Sequence, residues 1–279
     1  MSYKTILINV EKSRHNAARI KLAAQLANIE QAHLVGAAMT GLSQFAFQSM
    51  AMAPEAPVLG IDLSFLSERA DAALAEFVSC IEACGVESYE TRRIDDEAAA
   101  GLALQARYAD LVVVGQPDPM EQSPLQAADL PQFVTLHCAR PVLILPYAGQ
   151  FSQVGQRPLL AWDGSMAATR AISAALPLLR RARKVTLAVF NASAAHPSHG
   201  AQPGADMATY LARHGVQVEV LQQTTEGDVG DALLSLAANI EADLLVMGGY
   251  GHTRIREVLL GGVTKTVLAG MTLPVLMAH

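Results

Sequence analysis

The sequence predicts an α/β protein in which an open, parallel sheet covered by helices on both faces occurs twice. Short apolar runs rich in Val, Leu and Ile alternate with longer segments of helical pattern, which is typical of strands joined by crossover helices. Hydrophobic residues make up 51% of the 279 residues, a composition that suits a helix-covered sheet and excludes a disordered chain. Several segments also recur along the chain at constant spacing.

The repeat is clearest at two pairs of strand-like segments. Residues 109–115 (Ala-Asp-Leu-Val-Val-Val-Gly) match 242–248 (Ala-Asp-Leu-Leu-Val-Met-Gly), and residues 141–145 match 274–278. Both pairs are separated by 133 residues, so no gap is needed between them. The chain is therefore interpreted as a tandem duplication of one domain.

The starts of the two halves show where their lengths differ. Residues 6–13 match 158–165 at an offset of 152, so the first half is 19 residues longer than the second between these points. The excess lies at about 40–64, where Pro54 and Pro57 predict an extended loop.

The elements of the second half follow from its apolar periodicity and its turn residues. Ser165 is expected to cap the first helix. In chain order we expect strand 158–162, helix 165–181, strand 184–191, helix 205–214, strand 216–222, helix 228–240, strand 243–247, helix 264–269 and strand 273–277. The first half repeats this order, and ligands of such sheets bind beyond the carboxyl ends of the strands.

A glycine pattern follows the strand predicted at 243–247. Gly248, Gly251 and Gly261 are spaced as G-x2-G-x9-G, and a predicted helix comes next. Glycines let a backbone approach a ligand closely, and a helix N-terminus offers unpaired N–H groups and the positive end of its dipole. The pattern indicates a phosphate cradle, although glycines at these positions also suit tight turns alone.

This spacing resembles the ATP-binding signature of the universal stress protein family, in which Ser or Thr follows the last glycine. Here Gly262 stands at that position and Thr264 comes two residues later. The resemblance covers essentially the whole chain. It implies two tandem Rossmann-like (adenine nucleotide alpha hydrolase-like) domains, 1–148 and 155–279, each with a five-stranded parallel sheet. It also implies pairing through the last strand, either between the two halves or with a second chain.

The resemblance further implies an adenine nucleotide, ATP with or without Mg²⁺, bound to the second half. Asp163 would contact the adenosine portion or a hydrated Mg²⁺, Val189 would contact adenine through its backbone, and Thr264 would offer a hydroxyl to phosphate. Asp163 is equally suited to a turn and a helix cap, and His252 to an exposed loop or to a phosphate contact. The expected binding residues are Ala161, Trp162, Asp163, Val189, Met247, Gly248, Gly251, His252, Gly261, Gly262, Val263 and Thr264.

The first half keeps the length of this loop but not its glycines. The offset of 133 places Asp118 opposite Gly251 and Asp129 opposite Gly262. The Asp129 carboxylate would repel phosphate, and the Asp118 side chain would obstruct a close approach of the backbone to a ligand. We therefore expect the first half to keep the fold and to have lost nucleotide binding.

Three classes of function remain open from the sequence. The first is a nucleotide-binding regulatory module of the stress response. The second is a slow ATPase or nucleotidyl-transfer enzyme, with Asp163 and His252 as the only candidate bases and without the Gly-Lys-Ser/Thr of a P-loop. The third is a structural or signalling protein that binds no nucleotide, or one whose cradle takes a cyclic nucleotide or another anion.

Charge, hydropathy and residue counts limit the partners, the cellular location and the metal sites that the sequence allows. The net charge of −6 argues against nucleic acid and anionic membranes as partners. No apolar run reaches the length of a membrane span, and the N-terminus enters a strand without a signal peptide, so a cytoplasmic location is expected. His196 and His199 are too few for a metal site, and the three cysteines are expected to be reduced thiols.

Overall fold

The computed structural model describes residues 2–41, 63–121, 129–192, 202–250 and 262–279. The chain forms two compact units, Tyr3–Arg140 and a second one that contains Pro141–His279. Each unit is an α/β layer structure, which confirms the predicted fold class.

The N-terminal unit contains a parallel sheet in the order β3-β2-β1-β4. Its strands are Thr5–Asn9 (β1), His33–Met39 (β2), Tyr89–Ile94 (β3) and Leu111–Gly115 (β4). Its helices are Asn16–Glu30 (α1), Leu63–Ala83 (α2), Ala98–Gln105 (α3) and Leu130–His137 (α4), with a single 3₁₀ turn at Ala106–Tyr108. The strands β1 and β4 are nearly continuous apolar runs because helices cover both faces of a parallel sheet.

The C-terminal unit contains a sheet in the order β5-β10-β9-β6-β7-β8. Its strands are Val142–Leu145 (β5), Pro158–Ala161 (β6), Val185–Phe190 (β7), Val218–Gln223 (β8), Leu244–Gly248 (β9) and Val275–Ala278 (β10). Its helices are Met166–Leu179 (α5), Ala205–Arg213 (α6), Val229–Asn239 (α7) and Gly262–Gly270 (α8). Strands β6 to β10 are parallel to their neighbours within this set.

The one antiparallel pair in the C-terminal unit joins the last strands of the two repeats. Strand β5 pairs with β10, with Ile144 opposite Val275 and Val142 opposite Met277. The pairing of last strands that the family resemblance implies is thus present within this chain. Each half of the chain contributes five strands, β1 to β5 and β6 to β10, as the sequence predicts, and β5 is grouped with the C-terminal unit.

Two further sequence predictions concern parts of the N-terminal half. Most of the loop predicted at 40–64 lies outside the described residues, and helix α2 begins at Leu63. Cys80, Cys84 and Cys138 are free thiols.

None of the described helices is long and apolar enough to cross a membrane.

Candidate functional site

The C-terminal unit has a topological switch point between β6 and β9. These strands are parallel neighbours, with Leu160 opposite Val246. From β6 the sheet continues to β7 on one side, while β9 and β10 lie on the other. A crevice therefore opens beyond the carboxyl ends of β6 and β9, and it brings the segment after β6 close to the first glycine of the pattern.

Asp163 follows β6 and makes the turn into helix α5. Its Oδ1 accepts a hydrogen bond of 2.9 Å from the backbone N–H of Ser165. The Ser165 hydroxyl in turn accepts a bond of 3.0 Å from the Ala168 N–H and caps the helix, as predicted. Asp163 is exposed, so the turn occupies one carboxylate oxygen and the side chain still faces solvent.

Trp162 directly follows β6, and Val189 lies on the neighbouring strand β7. The Trp162 N–H donates to the Ala188 carbonyl at 2.9 Å, which extends the pairing of the two strands. The Val189 side chain is fully buried. Only the backbone of Val189 is therefore suited to the adenine contact that the sequence predicts.

Gly248 ends β9 and touches the first turn of α5. A Cβ at this position would lie 2.5 Å from the Ala168 nitrogen and 2.8 Å from the Ala167 carbonyl carbon. The glycine thus has a packing role, because only a residue without Cβ lets the helix reach the strand end. Met247 beside it is buried.

The segment after β9 is held by β10 and α8. The Gly249 N–H donates to the Ala278 carbonyl at 2.9 Å, and Tyr250 has a left-handed φ of 58°. The Tyr250 N–H donates to the Thr264 hydroxyl at 3.4 Å. Thr264 is only 4% exposed, so the hydroxyl predicted to contact phosphate also anchors this segment.

The Tyr250 phenol is a buried polar group in the segment after β9. Its oxygen is buried and has no hydrogen-bond partner among the described residues. Burial raises the pKa of Tyr250 to about 12, because the ionised phenolate loses hydration there. Sequence reasoning missed Tyr250, and its position between two glycines of the pattern was the available signal.

Helix α8 begins at Gly262, which is exposed. A Cβ at Gly262 would meet no atom of the described residues within 4 Å. Val263 is half-buried. The predicted residues Gly251, His252 and Gly261 lie outside the described residues, and their roles stay predictions.

The N-terminal unit has the equivalent switch point between β1 and β4, but a guanidinium group fills it. A Cβ at Gly115 would overlap the Arg19 side chain. The Arg19 Nε donates to the Asn9 carbonyl at 3.1 Å, and its Nη2 donates to Glu11 Oε1 at 3.0 Å and to Asn16 Oδ1 at 3.2 Å. At the same place in the C-terminal unit, Gly248 meets helix backbone directly.

Asp118 is also part of an ion-pair network in this unit. Its carboxylate is buried and contacts the Arg14 guanidinium, while Oδ2 lies 2.7 Å from His15 Nε2. Oδ1 accepts a bond of 2.8 Å from the Met120 N–H. The Arg14 hydrogen bonds, followed by those from His15 and Met120, hold the pKa of Asp118 well below its usual range.

Alignment of the two halves of the sequence shows a signal for Arg14 and His15, the partners of Asp118. The offset of 152 places Arg14 and His15 opposite Met166 and Ala167, so polar side chains stand directly before α1 where apolar ones begin α5. The sequence prediction included only Asp118. Asp129, the other predicted carboxylate, stands at the N-cap of α4 without a capping hydrogen bond from its side chain.

His15, Asp118 and Glu121 bring ligand atoms within 4.8 Å of one another, as in a metal site. However, Arg14 contacts the same Asp118 oxygen through its guanidinium, and its backbone N–H donates to Glu121 Oε1 at 3.1 Å. A cation of the protein therefore already balances the charge of this cluster.

Comparison with known proteins gives one match to a family model. Residues 156–279 match the model of the Universal stress protein family. The matched segment is the C-terminal part of the chain. It contains the entire G-x2-G-x9-G pattern and all the predicted binding residues.

Solved structures of universal stress proteins share the fold over both halves. A universal stress protein from Archaeoglobus fulgidus matches with a TM-score of 0.74 and 17% identity, covering 98% of this chain and 95% of that one. A universal stress protein from Pseudomonas aeruginosa matches with a TM-score of 0.63 and 18% identity, covering 98% and 92%. Among curated proteins, none matches the sequence significantly.

Proposed function

We propose that the C-terminal universal stress protein domain binds ATP and that the protein acts as a binding and regulatory module in a stress response. The observation that carries the proposal is the intact G-x2-G-x9-G pattern of the sequence, inside the segment that matches the family. Its first glycine, Gly248, ends β9 at the β6/β9 switch point. Ligands of open α/β sheets bind at such points.

The described residues fit a nucleotide phosphate at the start of α8. The helix offers unpaired N–H groups and the positive end of its dipole at Gly262, and a Cβ at Gly262 would meet no described atom within 4 Å. Asp163 presents an exposed carboxylate beyond β6, and we assign to it the contact with the adenosine portion or with the water shell of a bound Mg²⁺.

The N-terminal unit supplies the contrast that makes the proposal specific. Its switch point holds the Arg19 guanidinium against Gly115, and Asp118 stands where the C-terminal pattern has Gly251. We infer that nucleotide binding belongs to the C-terminal domain alone.

Isothermal titration of the full chain with ATP in the presence of Mg²⁺ tests the proposal. We expect saturable binding by the native chain and its loss in Gly251→Asp, because a carboxylate then faces the phosphates. Gly227→Asp is the matched control: Gly227 is an exposed residue of the C-terminal unit, and a Cβ there would meet only the Thr225 hydroxyl, at 3.7 Å. Absence of binding by the native chain, or equal binding by Gly251→Asp, would refute the proposal.

Phosphate release in the same samples separates binding from catalysis. A binding module should show an affinity for ATP without sustained release of phosphate. Sustained turnover that Asp163→Ala abolishes while affinity persists would instead identify an ATPase.

A further inference from the structure

The peptide unit between Gly249 and Tyr250 is held by a side chain at each of its two polar groups. The Gly249 carbonyl oxygen lies 3.0 Å from Nδ1 of His279, the residue that follows β10. The Tyr250 N–H donates to the Thr264 hydroxyl at 3.4 Å. Because a carbonyl oxygen only accepts hydrogen bonds, Nδ1 of His279 carries the proton and donates it in this contact.

The observed orientation of this peptide unit is unfavourable for Tyr250 alone. Tyr250 has a left-handed φ of 58°, which residues with a Cβ rarely adopt. Rotating the peptide unit by half a turn would bring this φ to about −120°, in the broad β region. Gly249 tolerates the accompanying change of its own ψ because it has no Cβ. The observed orientation therefore depends on the hydrogen bonds that the peptide unit makes in it.

The hydrogen bond from His279 is the shorter of the two, at 3.0 Å against 3.4 Å. N–H···O bonds in proteins are commonly about 2.7–3.2 Å long, so the contact with His279 is the one within the usual range. The backbone of His279 is itself held, because Arg170 of α5 donates from Nη1 to its carbonyl oxygen at 2.8 Å. The imidazole is therefore the stronger side-chain support of the observed peptide orientation.

This peptide orientation reaches the proposed phosphate site through the Thr264 hydroxyl. The hydroxyl accepts the Tyr250 N–H, so its own proton is left to donate to another acceptor. Thr264 lies in the first turn of α8, where the proposed phosphate site lies. We propose that His279 is a positioning residue of the ATP site, which holds the Gly249 carbonyl so that the Thr264 hydroxyl donates to phosphate. This inference rests on the proposed binding of ATP.

Isothermal titration of the full chain with ATP tests the role of His279. We expect His279→Ala to weaken ATP binding by about two- to tenfold, because it removes one hydrogen bond on which a phosphate contact depends. His279 is exposed, so this change opens no cavity in the core. His279→Asn should keep the native affinity, since its amide nitrogen is as many bonds from the backbone as Nδ1. Thr272→Ala, at an exposed position before the same strand, is the control and should bind ATP like the native chain.

A second pair of variants separates positioning from a general loosening of the fold. In a chain that carries Thr264→Val the hydroxyl is absent, so adding His279→Ala should cause no further loss of ATP affinity. Unchanged affinity in His279→Ala, an equal loss with and without the Thr264 hydroxyl, or a loss in His279→Asn as large as in His279→Ala would each overturn this inference alone. A native chain that binds no ATP would refute the proposed function and this inference with it.

Discussion

Asp118 places a buried carboxylate in the N-terminal unit at the sequence position that matches Gly251 of the second half. The local sequence suggested only an obstacle to nucleotide binding. The structure shows that Arg14 forms an ion pair with this carboxylate and that His15 lies within hydrogen-bond distance of it. The residue is therefore a structural ion-pair partner as well as an obstacle to nucleotide binding.

We expect Asp118→Asn to lower the melting temperature at neutral pH. The pKa of Asp118 is lowered in the folded state, so its stabilising effect is complete above the unfolded pKa of about 3.9 and is lost as pH falls through the folded value. Thermal denaturation of both proteins from pH 7 down to acid should show their difference shrinking below about pH 4. A difference that is independent of pH would contradict this role.

Tyr250 predicts a pH effect at the alkaline end. The folded state keeps the phenol protonated up to a pKa of about 12, while the unfolded chain releases this proton near pH 10. Deprotonation therefore favours the unfolded state between these values. The native chain should lose more stability than Tyr250→Phe between pH 10 and 12 in thermal denaturation, and parallel curves would count against the assignment.

Gly262 stands where the family pattern has Ser or Thr, and a single substitution restores that hydroxyl residue. We expect Gly262→Ser to raise affinity for ATP on the order of tenfold, because its hydroxyl adds a hydrogen bond to a charged phosphate. The open space at this position accommodates the side chain. Gly262→Ala is the control without a hydroxyl. Equal affinities of the two variants in calorimetry would exclude the phosphate contact.

At the level of elements, the contact between α5 and the end of β9 fixes the geometry of the C-terminal crevice. We expect Gly248→Ala to destabilise the protein by about 1–3 kcal/mol through overpacking, because its Cβ would overlap helix backbone. Denaturant unfolding measures this change. Gly262→Ala, which meets open space, should cause no comparable loss, and equal effects would argue against a packing role for Gly248.

The elements of the second half could be predicted from sequence because their signals are local. Apolar runs, Ser165 and the glycines set boundaries that agree with the structure to within two residues. The contacts of Asp118 could not be predicted in this way, since Arg14 lies 104 residues away in sequence. Likewise, the packing role of Gly248 depends on a helix that begins far upstream.

For the whole molecule, the consequence is an asymmetric duplication. One copy keeps the glycine pattern, while the other has an internal cation and an ion-pair network at the same point of the sheet. We expect one ATP per chain, because only the C-terminal pattern is intact. Native mass spectrometry at saturating ATP measures this ratio, and a second bound nucleotide that Gly251→Asp leaves in place would show that the N-terminal unit binds as well.

The antiparallel pairing of β5 with β10 forms within one chain, so it does not depend on the concentration of the protein. A strand offers two edges, and β10 uses one for β9 and the other for β5. Because both partners belong to one polypeptide, the connecting chain sets their effective concentration. Dilution does not separate them, so the joined last strands persist equally when the cell makes few copies or many.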